Sequence, residues 1–293
     1  MSGDVWPLEL VRVLAQRKAI IFLGSGASAT CRGESNETFP TWHDLLKQLG
    51  DLLDPDHSAA VAEYMKNSRL LDAAQIVVDN LDSAALDRNI RRIFDNPKIR
   101  PGQVYEFVNR IDQSVVMTTN YDRMFERYWE NGLHASVETE ASPLMVSSYQ
   151  DRDVVDHLRS DRPLLMKLHG TIEKARDIVL SRSQYSRAKF EYANFYSIVS
   201  ALLLTRTVLF IGCGFNGDPD LDLVLEDTAF AAQSAYPHYA LIPSGKSASE
   251  IRSIRNSFNV RVIEYERNGN DHSDMVAKLS DLMQLVEGSR ISS

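Results

Sequence analysis

Three side chains with carboxamide or acid–base chemistry stand directly after apolar runs in this chain. Asn120 and Asp122 follow Val115-Val116-Met117-Thr118-Thr119, and His169 follows Leu164-Leu165-Met166-Lys167-Leu168. If each run is a buried strand, its carboxyl end faces the crevice in which open α/β sheets bind ligands. A histidine there, near its ordinary pKa, can take a proton from water or from a hydroxyl. Other roles fit the same residues. Asn120 or Asp122 would serve as an N-cap for the helical pattern that follows, and a lone histidine is often simply structural. No two histidines stand at a metal-ligand spacing such as His-x-x-x-His.

Two glycine turns accompany these side chains. Ile20-Ile21-Phe22-Leu23 runs into Gly24-Ser25-Gly26-Ala27-Ser28-Ala29. This Gly-x-Gly-x-x-Ala form allows a tight turn and close approach of backbone amides to a pyrophosphate. A turn that merely ends a buried strand would look the same. The acidic residue that a hydride-transferring dehydrogenase carries about 20 positions later is missing, because that stretch reads as helix. The second turn, Gly212-Cys213-Gly214-Phe215, follows Val208-Leu209-Phe210-Ile211 and would let a ribose or adenine lie against backbone. Farther on, Asp218-Pro219 reads as a helix cap followed by proline at the first helical position.

The elements that must position these residues are legible from periodicity. Strands are predicted at 19–23, 114–118, 164–168, 207–211, 238–242 and 260–263, mostly without strict alternation, as strands buried on both faces should be. Helical patterns fill 121–131, 194–205, 219–233, 249–258 and 272–286. The expected fold is α/β: a Rossmann-like, mostly parallel sheet of about six strands with helices on both faces. Between the first two strands, 42–53, 58–67, 71–81 and 84–94 are amphipathic and helical. This stretch is far too long for a simple crossover. We read residues 1–293 as a single domain with an inserted helical subdomain at 41–109, and residues 288–293 as a frayed tail.

A net charge of −8 argues against a broad nucleic-acid-binding surface. No apolar run is long enough to span a bilayer. The first residues lack a basic region followed by an apolar core, and the two cysteines, Cys31 and Cys213, cannot build a four-cysteine zinc site. The expectation is a cytoplasmic protein without bound metal.

Taken in order, five segments resemble the sirtuin-like NAD-binding domains, specifically the divergent bacterial branch of antiphage defence systems. They are the turn at Gly24–Ser28, Phe39-Pro40-Thr41-Trp42, Thr118 to Asp122, Leu168-His169-Gly170, and Gly212 to Gly214. The resemblance spans about residues 18 to 265. The paired Cys-x-x-Cys zinc module of the protein deacetylases is absent, and their Pro-Asp-Phe-Arg segment is replaced by Phe39-Pro40-Thr41-Trp42. Both departures point away from peptide substrates. The resemblance implies an NAD glycohydrolase that releases nicotinamide and ADP-ribose and depletes cellular NAD upon infection.

Such a reaction must stabilise an oxocarbenium-like ribosyl centre and deliver water, while nicotinamide leaves as a neutral molecule without a general acid. The resemblance assigns base chemistry to His169, the nicotinamide ribose or attacking water to Asn120, and the nicotinamide carboxamide to Asp122. It gives the pyrophosphate to Gly24, Ser25, Gly26, Ala27 and Ser28, with Thr118 beside them, and the adenosine half to Gly212 and Cys213. Trp42 is either a wall of the nicotinamide pocket or a core residue. Two other readings stay open: a non-catalytic sensor of NAD or of an ADP-ribose derivative, and a deacylase or ADP-ribosyltransferase. Family and length further imply a homo-oligomer or a partner chain, such as a DNA-translocase-type ATPase or an Argonaute-like protein.

Overall fold

The computed structural model describes residues 6–131, 143–215, 225, 236–267, 269 and 271–291. Among them are seven strands: β1 (Ala19–Leu23), β2 (Val115–Thr118), β3 (Met145–Ser148), β4 (Leu164–Lys167), β5 (Thr207–Ile211), β6 (His238–Pro243) and β7 (Val260–Tyr265). They form one sheet in the order β3-β4-β2-β1-β5-β6-β7, and every pairing is parallel. All six expected strands are present. The seventh, β3, is an edge strand whose Val146 is exposed and whose second half is Ser147-Ser148. It therefore lacks the continuous apolar run that marks a central parallel strand.

Alternate residues of each central strand enter different cores. Ile21, Leu23, Val116, Leu165, Leu209 and Ile211 face one cluster, whereas Ile20, Phe22, Met117, Met166, Val208 and Phe210 face the other. The first core is closed by α1 (Leu8–Ala15), α7 (Gln103–Ile111) and α13 (Ser273–Ile291). The second is closed by α10 (Arg182–Glu191), α11 (Ala193–Thr205) and α12 (Ala248–Phe258). Burial on both faces explains why these strands read as unbroken apolar runs.

The chain between β1 and β2 is helical, as expected. It carries the short α2 (Ser25–Ser28), then α3 (Trp42–Gly50), α4 (Pro55–Lys66), α5 (Leu70–Asn80), α6 (Ser83–Phe94) and α7. The starts are encoded locally. Thr41 caps α3 through the Asp44 amide, Asp54 caps α4 with Pro55 behind it, and Asp82 caps α6 through the Ala85 amide. α5 packs on α10, and α6 packs on a 3-10 helix at Ile172–Asp177, so these helices are tied to the body of the protein. α8 (Met124–Glu130) and α9 (Val154–Arg159) complete the described helices.

The carboxyl-terminal residues differ from the expected frayed tail. α13 continues through Gly288 to Ile291, because the Arg290 guanidinium donates to the Ala15 carbonyl at 3.1 Å and to the Ile111 carbonyl at 2.7 Å. The expected helix at 219–233 and the Asp218 cap lie outside the described residues.

Candidate functional site

β1 lies between β2 and β5, so the chain reverses its direction of sheet growth there, and a crevice opens at the strands' carboxyl ends. A cavity of about 350 Å³ occupies it. Its lining comes from the ends of five strands: Ser25 and Ser28 after β1, Thr119 to Asp122 after β2, His169 after β4, Gly212 and Gly214 after β5, and Lys246 after β6. The chain between β1 and β2 supplies the facing wall, with Phe39, Pro40, Thr41, Trp42, Leu70 and Phe94. Phe39 stacks on Phe94 with ring centroids 5.9 Å apart, and Phe94 meets Tyr121 edge-on at 5.4 Å. One side of the cavity is therefore aromatic and the other polar.

The two glycine turns press together backbone to backbone. The Gly24 amide donates to the Ile211 carbonyl and the Gly26 amide to the Gly212 carbonyl, both at 2.9 Å. A Cβ on Gly24 would lie 2.5 Å from the Gly212 oxygen, and one on Gly212 would lie 2.3 Å from the Ala27 nitrogen. Gly212 also has φ of +70°, a conformation that L side chains rarely adopt. These glycines thus let two turns close on each other. Ala27 donates to the Gly24 carbonyl, so Gly24, Gly26 and Ala27 each have a backbone partner for the amide. Ser25 stands at the first position of α2 and lines the cavity.

Asn120 is held in one orientation. Its Nδ2 donates to the Gly24 carbonyl and to Ser28 Oγ, each at 2.9 Å. A carbonyl can only accept, so the amide nitrogen must face inward, and Oδ1 is left to accept from a bound molecule. Ser28 is the hub of this network. Its hydroxyl donates to Asp122 Oδ2 at 2.7 Å, so the Tyr105 hydroxyl, 3.0 Å away, must donate to it. Thr118 Oγ1 donates to the Leu23 carbonyl at 2.7 Å and accepts from the Asn120 amide at 2.9 Å. Thr118 therefore positions Asn120 from behind the cavity.

Asp122 is buried, with Oδ1 accepting from the Met124 amide at 2.9 Å at the start of α8. The capping role considered from the sequence thus coexists with a place in the cavity lining. Burial raises its pKa, and the nearby Lys167 ammonium opposes that rise. Lys167, fully buried on β4, donates to Glu126 Oε1 at 2.9 Å and to the Asp122 carbonyl. Sequence reasoning did not single out this pair. The available signal was a lysine inside an apolar strand, where a buried ammonium requires a partner.

His169 sits after β4 on a turn completed by Gly170, whose φ is +86°. Its environment differs from the expected histidine of near-ordinary pKa. Burial lowers its pKa to about 3, because the imidazolium would lose its hydration there. The ring is neutral throughout the physiological range.

Of the residues expected to bind a dinucleotide, Ser25, Ser28, Asp122 and Gly212 line the cavity with Asn120 and His169. Gly24, Gly26, Ala27, Thr118 and Cys213 do not line it. Cys213 directs its sulfur toward the carbonyls of Phe22 and Ile211, at 4.0 and 3.9 Å. Trp42, left open between wall and core, is half-buried in the cavity wall. Phe39, Phe94 and Lys246 were missed as lining residues. Lys246 had a recognisable context, since Ser244-Gly245-Lys246 links a strand to a capped helix. Among the described residues, no group of three or more His, Cys, Asp or Glu could hold a metal ion, and no helix is long and apolar enough to cross a membrane.

Comparison with known proteins places these features in context. A family model described as a SIR2-like domain matches residues 114–263. A Cytobacillus dafuensis protein named NAD(+) hydrolase ThsA is 30% identical over 226 residues, covering 74% of this chain and 39% of that protein. A Bacillus subtilis protein named Defense-associated sirtuin 2 is 24% identical over 221 residues, covering 74% of this chain and 20% of that protein. The chain thus spans two fifths or less of the length of these curated relatives. A crystal structure of a SIR2 homologue in complex with NAD covers 97% of this chain and 95% of its own, with 10% identity and a TM-score of 0.43.

Proposed function

Since the chain belongs to the SIR2-like family, matched over 150 of its 293 residues, we propose that it hydrolyses NAD at the nicotinamide–ribose bond. The products are nicotinamide and ADP-ribose, and the biological role is that of an NAD-depleting effector in antiphage defence. The observation that carries this reading is the meeting of Asn120 Oδ1 and a neutral His169 in one cavity at the sheet's reversal point. The names of the relatives favour the same substrate and setting.

The cavity suits the molecule part by part. NAD contributes a pyridinium leaving group that departs neutral once its bond to ribose breaks. The aromatic faces of Phe39, Phe94 and Trp42 suit a flat cationic ring. Asn120 Oδ1, fixed by its two inward donors, accepts from a ribose hydroxyl or from the attacking water. His169, neutral and dehydrated, offers a ring nitrogen as acceptor and orients the nucleophile. With a pKa of about 3 it is a weak base, so it acts through orientation, with proton uptake following the build-up of positive charge on the water. Asp122 remains the candidate for the nicotinamide carboxamide. Ser25 and the Lys246 ammonium are the candidates for holding the diphosphate, since both line the cavity. Gly24, Gly26 and Ala27 serve by shaping the turn.

We extend the proposal to control of this activity by a homo-oligomer or a partner protein. The test is NAD turnover followed by chromatography and mass spectrometry, on wild type, Asn120→Ala and His169→Ala, with the assembly sized in parallel. Loss of turnover in both variants supports the reading. Intact NAD with the wild type under every assembly state, or full turnover by both variants, overturns it. Transfer of ADP-ribose to an acylated peptide would instead favour the deacylase or transferase alternative.

A further inference from the structure

Behind the Phe39-Pro40-Thr41 wall lies a second cavity, of about 690 Å³, which shares those three residues with the first. Four segments distant in sequence converge on it: Arg32 after α2, Lys47 and Gln48 on α3, Arg92 on α6, and Arg267 after β7. Its carboxylates are Asp44 and Asp51, and Asp44 already accepts from the Thr41 hydroxyl at 2.7 Å. Among the described residues, no carboxylate pairs with Lys47, Arg92 or Arg267. The four basic side chains outnumber the two carboxylates of the lining, so in a protein of net charge −8 the cavity mouth carries a local excess of positive charge that favours an anion. His272 in the lining is held below its ordinary pKa first by burial, then by Arg267 and Arg32, with the Asp271 charge opposing them.

The remaining lining is not simply basic. Ile93, Ile99 and Phe39 give an apolar floor, and the amides of Gln48 and Asn96 can exchange hydrogen bonds with a base edge. The volume falls in the range of small-molecule sites. Arginine forks match phosphate oxygens in pairs, and Arg32 is already oriented by Nη1 bonds to the Cys31 carbonyl and to Thr38 Oγ1.

We propose that this second cavity binds a nucleoside diphosphate, and that its occupancy is sensed by the first cavity through the shared Phe39-Pro40-Thr41 wall. The binding half stands on its own; the sensing half rests on the proposed NAD hydrolysis. The experiment is calorimetric titration of the full chain with ADP and with inorganic pyrophosphate, followed by NAD turnover at saturating ADP. Wild type is compared with Arg92→Gln/Arg267→Gln and with Lys246→Ala, and melting curves verify that each variant is folded. ADP is expected to bind at least about tenfold more tightly than pyrophosphate. The double variant is expected to lose about tenfold or more, and Lys246→Ala to retain wild-type affinity. Absence of ADP binding, no preference over pyrophosphate, or loss of binding in Lys246→Ala with retention in the double variant overturns the proposal. If ADP binds as expected and changes the KM for NAD in wild type but not in the double variant, the sensing half holds. If ADP binds and NAD turnover is unchanged, sensing is overturned while the site stands. If ADP binds and no NAD turnover occurs at all, the failure belongs to the proposed hydrolase activity.

Discussion

Asn120 Nδ2 donates to Ser28 Oγ at 2.9 Å, joining residues 92 positions apart at the ends of neighbouring strands. Through this bond the glycine turn after β1 fixes the rotamer of the carboxamide after β2. The same serine hydroxyl is the donor to Asp122. One hydroxyl therefore sets the geometry of two of the proposed catalytic and binding side chains.

Replacing the hub has a calculable effect. Ser28→Ala leaves Asp122 Oδ2, the Tyr105 hydroxyl and one Asn120 N–H without their buried partner. A loss of about 2–4 kcal/mol in urea unfolding is expected, together with a fall in NAD turnover because Asn120 is no longer oriented. Ser28→Ala with unchanged stability would show that the network is not formed in solution.

Asn120→Asp is a sharper probe than alanine. The carboxylate has no N–H to give to the Gly24 carbonyl, and two acceptors would face each other at about the distance of the present bond. Turnover of NAD is expected to drop by about 10²–10³ in kcat. Lys246→Ala, in contrast, should raise the KM for NAD by roughly tenfold and leave kcat nearly unchanged, since it removes ground-state and transition-state binding alike.

The buried pair Lys167–Glu126 gives a stability prediction independent of activity. Lys167→Met strands the Glu126 carboxylate, which is only 4% exposed, and is expected to cost about 3–5 kcal/mol. The double change Lys167→Met/Glu126→Leu should recover part of that loss, because Glu126 is no longer stranded while buried Asp122 still lacks the Lys167 charge. Chemical unfolding of the two variants checks both statements.

Stability should fall as pH is lowered from about 6.5 toward 4. His169 and His238 are held down by burial to about 3 and about 4, against an ordinary value of 6.5. In that window the unfolded chain binds protons that the folded chain does not, and each group contributes a slope of up to about 1.4 kcal/mol per pH unit. The raised pKa of Asp122 acts with the opposite sign at the acid end of the window. Melting temperatures measured across the range check this, and His238→Gln should flatten the curve.

Cys31 is buried and its thiol is pushed up to about 12, first by the loss of hydration and then by the Asp122 charge. It is expected to resist alkylation in the native protein at pH 8 and to react upon unfolding, as mass spectrometry of the labelled chain would show.

The sequence alone determined six of the seven described strands, the parallel α/β class, the helical character of the chain between β1 and β2, and the order of glycine turns, carboxamide and histidine. Those are local signals: an apolar run long enough for one strand, a polar residue or glycine at its end, a cap before a helix. Tertiary structure decided which of these residues meet the cavity. Thr118 and Cys213 stand beside the right residues in the chain but turn into the protein, because their polar atoms reach the carbonyls of Leu23, Phe22 and Ile211 on adjoining or preceding strand segments. Phe39, Phe94 and Trp42 become a wall only when the chain between β1 and β2 folds over the strand ends, and Lys246 arrives after β6. The pKa of His169 was likewise invisible in the sequence. It depends on how completely surrounding elements exclude water, a quantity set by distances across the fold rather than by spacing along the chain.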